Sequence, residues 1–178
     1  MVKILIISDI HGDRDILVDI IKKWQADVTA IFYNGDSELS ADDSVFDGVS
    51  TVIGNMDDDP DFADGRSTTI DDVTIFQTHG HLYRATVLTG WANLALMDEA
   101  ADEAQAQIVL FGHTHKLGAE MYHQKLFINP GSTTLPKGEY ANLGGTYAIL
   151  DVTASTFTVQ FYNRQHQLLT TLTRQFER

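Results

Sequence analysis

Polar residues follow five apolar runs in this chain, and this placement constrains the fold more than any other feature. Five of the seven histidines lie in three short segments, which read S-D-I-H-G at 8–12, T-H-G-H at 78–81 and G-H-T-H at 112–115. Two further segments, N-G-D at 34–36 and G-N-M-D at 54–57, carry carboxylates and amides. An apolar run that ends in glycine and polar residues is typical of a buried strand followed by a sharp turn. We therefore expect several strands to end at one polar site.

The first part of the chain is typical of an open α/β sheet. Apolar residues recur at helical spacing from Ile16 to Trp24, and Asp13 is a suitable N-cap, so the pattern predicts a helix of about three turns. Strands that end at the polar segments are predicted at 2–8, 28–33, 50–53, 73–77 and 108–111. Loops beyond the carboxyl ends of such strands converge where ligands bind.

The later part of the chain predicts a second helix and antiparallel pairing. The helix is expected in the alanine- and leucine-rich stretch between residues 81 and 107. Strands joined by short polar turns are predicted at 121–122, 125–128, 146–152 and 156–162. We predict an α/β fold in which two stacked mixed β-sheets are flanked by helices, with parallel strands early and antiparallel strands late. The length of 178 residues fits a single domain, 1–178.

Three connecting segments are expected to be ordinary loops. The acidic run 57–65 predicts a solvated connection. The N-P-G-S segment at 129–132 predicts a turn, since proline and glycine pre-set the backbone angles. The glycine-containing segment 137–145 is also interpreted as a turn, with a mobile flap as the alternative.

Composition excludes several classes of function. The chain contains no cysteine, so disulfides, thiolate metal sites and a cysteine nucleophile are excluded. A formal net charge of −13 opposes adsorption to bulk nucleic acid or to anionic membranes. The first apolar run is expected to be a strand rather than a signal peptide, and no run is long enough to span a membrane. These features predict a soluble cytoplasmic protein.

The residue types at the strand ends favour metal binding. Imidazole and carboxylate are the usual ligands of divalent ions, and one carboxylate can bridge two ions. Residues two apart on an extended segment point to the same side, so Asp9 and His11 can bind one ion together. A lone histidine at a strand end is usually structural, but five motifs together make that interpretation improbable. Two roles for His81 stay equally open. It contacts either the metal ligands or phosphate, or it has a purely structural role.

The ordered set D-x-H, G-D, G-N, H-G-H and G-H-x-H resembles the calcineurin-like metallophosphoesterase superfamily. The short chain and the G-N-M-D segment are similar to its small bacterial and archaeal YfcE-like phosphodiesterases. The resemblance implies that Asp9, His11 and His115 bind one metal ion. It implies that Asn55, His79 and His113 bind a second ion, and that Asp36 bridges the two. The implied architecture is an α/β/β/α sandwich.

The same resemblance implies a metal-dependent phosphodiesterase. A hydroxide that bridges two divalent ions would attack a small phosphate diester in line, with Asp36, Asn55 and His81 as catalytic residues. Manganese is the expected metal, and nickel, zinc, iron, cobalt and magnesium stay open. The physiological substrate is not predicted, and a homo-oligomer stays open. His123 and His166 receive no function.

One departure from the superfamily concerns the proton donor. Many larger members have histidine after the asparagine, where it protonates the leaving oxygen, whereas this chain has Met56. A general acid contributes typically about 10²–10⁴ in rate. We therefore expect activity on esters with acidic leaving groups, with Asp57 or His81 as partial substitutes for the acid.

Two other classes of protein compete with the phosphodiesterase. A non-catalytic protein-interaction scaffold of the same fold, which resembles the retromer scaffold subunit, would have altered ligands, whereas every ligand position is filled here. A metallo-β-lactamase-type hydrolase requires H-x-H-x-D-H. That motif fails because Lys116 and Leu117 follow His115.

Overall fold

Two β-sheets form the centre of the protein, and the computed structural model describes all residues 1–178. The first sheet contains β1 (Val2–Ile7), β2 (Ala30–Tyr33), β3 (Val49–Thr51), β9 (Thr146–Val152), β10 (Thr156–Asn163) and β11 (Arg174–Glu177). The second contains β4 (Gly65–Ile70), β5 (Val73–Thr78), β6 (Ile108–Leu110), β7 (Gly118–Tyr122) and β8 (Lys125–Asn129). Their strand orders are β11-β10-β9-β1-β2-β3 and β4-β5-β6-β8-β7.

Both sheets are mixed, as predicted. In the first sheet β1, β2 and β3 are parallel, and β9, β10 and β11 are antiparallel additions. In the second sheet β4 is antiparallel to β5, whereas β6 is parallel to both β5 and β8. The expected division into early parallel and late antiparallel strands therefore holds for the first sheet and is wrong for the second. The chain reaches the edge strand β7 first and returns as β8, which places β8 parallel to β6.

The helices cover the outer faces of the sheets. Helix α1 (Arg14–Trp24) begins at Asp13, whose carboxylate accepts the N–H of Ile16 at 3.2 Å, as predicted. Its buried side chains belong to a cluster with residues of β1 and β2, and α2 (Ala95–Glu103) packs through Met97 on the second sheet. A third cluster joins side chains of both sheets. The α/β/β/α arrangement is thus confirmed, and no helix has the length and hydropathy needed to cross a bilayer.

The sequence missed two strands, and both lie at sheet edges. Strand β4 reads G-R-S-T-T-I and β11 reads R-Q-F-E, and most of their side chains are exposed or half-buried. Edge strands need no continuous apolar face, so periodicity does not detect them. Residues 84–94, expected to be helical, precede α2 without regular structure, and Arg84 and Gly90 have φ of 52° and 85°. Short 3₁₀ segments lie at Ser44–Phe46, His81–Tyr83, Ala141–Leu143 and Thr170–Leu172.

The acidic segment 57–65 is not a fully solvated connection, because its first residue is buried. One oxygen of Asp57 accepts the backbone N–H groups of Ser37 and Glu38 and the Ser37 hydroxyl. The other accepts the N–H groups of Asp36 and Gly54, at 2.9 and 2.8 Å. This one carboxylate therefore joins the loop after β2 to the loop after β3.

Replacing Asp57 should destabilise the protein. Asp57→Ala leaves four N–H groups without their partner, and we expect a loss of about 3 kcal/mol in the free energy of unfolding. The neighbouring Asp58 is exposed, so Asp58→Ala is a matched control that should change stability by less than about 0.5 kcal/mol. Urea denaturation followed by circular dichroism measures both. Equal effects of the two substitutions would contradict the anchoring role.

Candidate metal centre

The seven predicted metal ligands all follow the carboxyl ends of strands. Asp9 and His11 follow β1, Asp36 follows β2, Asn55 follows β3, His79 follows β5, and His113 and His115 follow β6. Four of them, Asp9, His11, Asp36 and His115, have ligand atoms that lie within 4.8 Å of one another. Side chains separated by more than 100 residues along the chain thus meet at one point.

The first group centres on His115. Its Nε2 lies 3.2 Å from Nε2 of His11 and 3.1 Å from Oδ1 of Asp9. Asp9 is fully buried, and the Ser8 hydroxyl and the His113 N–H donate to its other oxygen, Oδ2. The Oδ1 atom accepts no hydrogen bond and faces the group.

The second group centres on His79. Its Nε2 lies 3.3 Å from Oδ2 of Asp36 and 3.2 Å from Oδ1 of Asn55. The ring of His113 lies 5.2 Å from that of His79, measured between centroids. Asp36 belongs to both groups, since its carboxylate lies near His79 and is also one of the four clustered residues around His115.

Hydrogen bonds orient three of the imidazoles with Nε2 toward the centre. Nδ1 of His79 lies 2.6 Å from the Asn34 carbonyl oxygen, and Nδ1 of His115 lies 2.7 Å from that of Leu135. Nδ1 of His11 lies 2.9 Å from a carboxylate oxygen of Glu38. An oxygen acceptor requires the proton on Nδ1, which leaves the Nε2 lone pair free. Metal-binding histidines are held in this way by their outer nitrogen.

The arrangement fits divalent cations. When the imidazoles are neutral and carry their protons on Nδ1, the Nε2 lone pairs face one another and face carboxylate oxygens at 3.1–3.3 Å without a hydrogen between them. The buried Oδ1 of Asp9 also has no hydrogen-bond donor. A cation between these atoms satisfies all of them, and nitrogen and oxygen donors suit borderline and hard divalent ions.

The pKa shifts of Asp36, His79 and His113 set the charge states of the centre. Burial raises the pKa of Asp36, but the His79 imidazole and the Met56 N–H outweigh it and lower the pKa to about 2. Burial lowers the pKa of His79, but Asp36 and Asp9 more than offset this and leave it raised. Burial and the neighbouring His79 lower the pKa of His113 to about 4. At neutral pH Asp36 is therefore ionised and the His113 imidazole is neutral, which are the forms that bind metals.

The backbone is strained at the same residues. Five of the seven predicted ligands have positive φ: Asp9 (56°), His11 (46°), Asp36 (56°), His113 (66°) and His115 (57°). This conformation is unfavourable for residues other than glycine, and it persists where the surroundings impose it at functional sites. These five residues lie in the loops that follow β1, β2 and β6.

The segment 129–132 supports these strained loops. It is buried, and the Ser132 hydroxyl donates to the Asp9 carbonyl at 2.7 Å. The Asn129 side-chain amide donates to the Gly112 carbonyl at 2.8 Å. The predicted turn therefore also stabilises the loops after β1 and β6 through these hydrogen bonds.

Two glycines permit the close approach of these loops. A side chain at Gly54 would overlap the Asp36 carboxylate, and one at Gly112 would overlap Ser8 and Asp9. Both glycines are required because another loop occupies the space that a Cβ atom needs.

Several supporting residues were missed by the sequence prediction. Glu38 orients His11, and the Asn34 amide donates to the Phe111 carbonyl across the two sheets. The buried Gln77 amide donates to the Tyr33 and Ser50 carbonyls, which ties β5 to β2 and β3. A glutamine at the end of an apolar run was a detectable signal, whereas nothing local distinguishes Glu38 from a surface residue.

The candidate proton donors differ in position. The His81 ring lies 5.4 Å from that of His79, its Nδ1 is buried without a partner, and burial lowers its pKa. Both oxygens of Asp57 accept N–H groups, so the suggestion that Asp57 replaces the missing acid is wrong. Met56 is half-exposed beside the centre, and its N–H donates to Asp36 at 2.8 Å.

The two remaining histidines lie outside the cluster. His123 contacts Asp98 at 2.7 Å, and His166 contacts Asp19 at 2.9 Å.

Comparison with known proteins identifies relatives of the whole chain. The model of the calcineurin-like phosphoesterase superfamily domain matches residues 2–155. A probable metallophosphoesterase of Bacillus subtilis, YsnB, is 36% identical over 163 residues, which cover 90% of each chain. A crystal structure of a predicted phosphoesterase from Streptococcus pneumoniae is 35% identical, with a TM-score of 0.92 and coverage of 99% of this chain and 97% of that one.

Two more distant structures share the fold. The phosphoesterase YfcE of E. coli is 20% identical with a TM-score of 0.63, and 98% of each chain is covered. Vps29 of Entamoeba histolytica, crystallised with zinc, is 19% identical with a TM-score of 0.69 and the same coverage. The sequence-based resemblance to the calcineurin-like phosphoesterase superfamily is confirmed, and the likeness to YfcE extends to the fold.

Removal of the Glu38 carboxylate should weaken metal binding. Glu38→Ala releases the outer nitrogen of His11, and loss of such a contact typically lowers metal affinity about 10–100-fold. Isothermal titration of metal-stripped protein with Mn²⁺ or Zn²⁺ measures the change. Glu99→Ala, on the exposed face of α2, is the matched control and should bind as tightly as wild type. An unchanged affinity in Glu38→Ala would show that His11 is not a ligand or needs no orientation.

Proposed function

Because the chain belongs to the calcineurin-like phosphoesterase superfamily, we propose that it is a metal-dependent phosphodiesterase with a dinuclear centre. The observation that carries this proposal is the approach of inward-facing Nε2 atoms and carboxylate oxygens to within 3.1–3.3 Å in two adjoining groups, around His115 and around His79. A set of acceptors without donors has no structural use in itself, since it lowers the stability of the fold.

The proposed ligands divide into two sets that share Asp36. Asp9, His11 and His115 would hold one ion, and Asn55, His79 and His113 would hold the other. Two divalent ions held in this way would activate water and neutralise charge on phosphoryl oxygens. The Asp36 carboxylate would contribute to both sets, and the neutral amide of Asn55 would leave its ion more electrophilic than another carboxylate would.

The environment of the centre supports a diester substrate with an acidic leaving group. Met56 cannot donate a proton, and Asp57 is engaged by the backbone. Burial lowers the pKa of His81, so its imidazole is neutral at neutral pH and donates a hydrogen bond to phosphate rather than a proton. Without a general acid to protonate the leaving oxygen, the reaction depends on a leaving group that departs as an anion.

Other parts of the proposal concern cofactor and partners. Nitrogen and oxygen donors suit Mn²⁺, which we retain as the proposed metal, although the donors accommodate Ni²⁺, Zn²⁺, Fe²⁺, Co²⁺ or Mg²⁺. The substrate is a small phosphodiester, since a net charge of −13 opposes binding of bulk nucleic acid. Cytoplasmic location and homo-oligomerisation stay predictions.

The alternative is a protein-interaction scaffold of the same fold. The structural likeness to Vps29 makes this alternative concrete, although an identity of 19% supports only the shared fold. The complete set of oriented ligand atoms favours the enzyme, but metal binding alone does not distinguish the two, since Vps29 of Entamoeba histolytica was crystallised with zinc. Turnover distinguishes them.

Activity should require both the metal and Asp36. Metal-stripped protein should hydrolyse bis-p-nitrophenyl phosphate only after Mn²⁺, Ni²⁺, Zn²⁺ or Mg²⁺ is restored, and faster than p-nitrophenyl phosphate. Asp36→Ala should keep the circular dichroism spectrum and lose at least about 10³-fold in kcat/KM, since both ions lose a ligand. The exposed Asp58→Ala variant is the control. Full turnover by Asp36→Ala would refute the site, and no turnover with any ion would favour the scaffold.

Introduction of an acid should broaden the range of leaving groups. Met56→His places an imidazole beside Asn55, and we expect a gain of about tenfold or more for phosphate diesters with alkyl leaving groups. The gain for p-nitrophenyl leaving groups should be small, because nitrophenolate needs no proton. Met56→Leu keeps the side-chain size and should change neither rate. A uniform gain for both leaving groups would contradict the missing-acid argument.

A further inference from the structure

A cavity of about 590 Å³ lies beside the loop that carries His115. One wall is formed by Gly118, Ala119 and Glu120 of the edge strand β7. The opposite wall contains Phe161 of β10 and Arg174 of β11. The cavity therefore opens where the free edge of the second sheet faces the first sheet. Its volume is within the range of sites for small organic ligands.

Unpaired cations are concentrated in this cavity. The chain has 12 lysines and arginines, and seven of them form no ion pair despite 25 acidic residues. Three of these seven, Lys116, Lys137 and Arg174, line the cavity. In a protein with a net charge of −13, this local positive charge favours an anion.

The charged residues that line the cavity differ in how far they are buried. Glu120 and Glu139 also line the cavity, but both are exposed, as are Lys137 and Arg174. Lys116 alone among the charged lining residues is half-buried, and its Nζ donates to the Gly90 carbonyl at 2.8 Å. Gly138 packs closely against the aliphatic part of Lys116, since a Cβ atom there would lie 3.0 Å from its Cγ atom. This packing and the hydrogen bond to Gly90 restrict the position of the ammonium group.

The surface around Lys116 is apolar and aromatic. Leu117, Phe161 and Leu172 are buried lining residues, and the half-buried rings of Trp91 and Tyr140 lie beside them. Trp91 is fixed, since its Nε1–H donates to the Lys116 carbonyl at 2.8 Å and its ring packs on Phe111. Fixed aromatic faces next to a held ammonium recognise a ring that carries a negative group.

We propose that this cavity is a second ligand site, which binds a small organic anion with an aromatic ring. The anionic group contacts Lys116 and Lys137, and the ring packs against Trp91 and Tyr140. The site contains none of the proposed metal ligands, so binding does not require the metal centre.

Residues 135–137 connect the wall of the cavity to the loop of His115. The Leu135 carbonyl accepts the Nδ1–H of His115, and the Lys137 N–H donates to the His115 carbonyl at 3.0 Å. The proposed site is therefore next to the metal centre without sharing its proposed ligands.

Trp91 provides a direct measurement. Full-length protein stripped of metal with a chelator is titrated with phenyl phosphate, benzoate and adenosine 5′-monophosphate, and tryptophan fluorescence and Tm are followed. We expect saturable quenching of the fluorescence and a rise in Tm with at least one aromatic anion. Inorganic phosphate has no ring and adenosine has no anionic group, so each should bind at least about tenfold more weakly.

Substitutions of single lysines distinguish this cavity from the metal centre as the place where the anion binds. Lys116→Met and Lys137→Met should each weaken binding about tenfold, whereas Lys22→Met on the exposed face of α1 is the matched control. Asp36→Ala should bind the anions as wild type does, so failure of this site and failure of the proposed hydrolase activity are separate results. Lys137 is exposed, so its variant tests the site even if Lys116→Met is unstable.

Three results would overturn the proposal. One is the absence of binding by all three aromatic anions at concentrations up to about 1 mM. Another is binding that all three lysine variants alter equally. The third is occupation of the cavity by a second copy of the chain, seen as a dimer in sedimentation that Lys137→Met dissociates and that excludes the anions.

Discussion

Mutual repulsion between the electron-rich atoms of the metal centre is the interaction on which the rest of the structure depends. Asp9, Asp36 and the Nε2 atoms of His11, His79 and His115 lie close together, and no hydrogen lies between them when the imidazoles are neutral. Such a cluster opposes folding because buried acceptors without donors lose their hydration. The surrounding sheets and loops must therefore supply the free energy that holds these atoms together until a cation binds.

The fold supplies this free energy through contacts that lie outside the centre. The buried Asp57 carboxylate accepts hydrogen bonds from the backbone of two loops. Gln77 and Asn34 form hydrogen bonds between the two sheets, directly beneath the ligands. Ser132 supports the loop of Asp9 from behind. These groups hold the backbone of the ligand loops at positive φ. The ligands are therefore oriented without a bound metal, and metal binding requires little change in their conformation.

The proposed functional surface has two parts with different chemistry. In the proposed reaction the metal centre recognises the phosphoryl group, and the absence of an acid at Met56 limits the leaving group. The cavity beside His115 has no metal ligands and instead offers fixed aromatic rings and unpaired cations. The segment 135–137 connects the wall of the cavity to the loop of His115, so the two parts are next to each other.

The sequence by itself determined the cluster of candidate ligands, α1, most strands and the stacked mixed sheets, because each follows from a local pattern of apolar runs, turn residues and caps. Tertiary structure alone decided the roles of Glu38 and Asp57, the strands β4 and β11, and the cavity. Glu38 contacts a residue 27 positions away and Asp57 one 21 positions away, so neither role leaves a periodic trace. Edge strands and cavities likewise depend on how separate elements pack, which periodicity within one element does not encode.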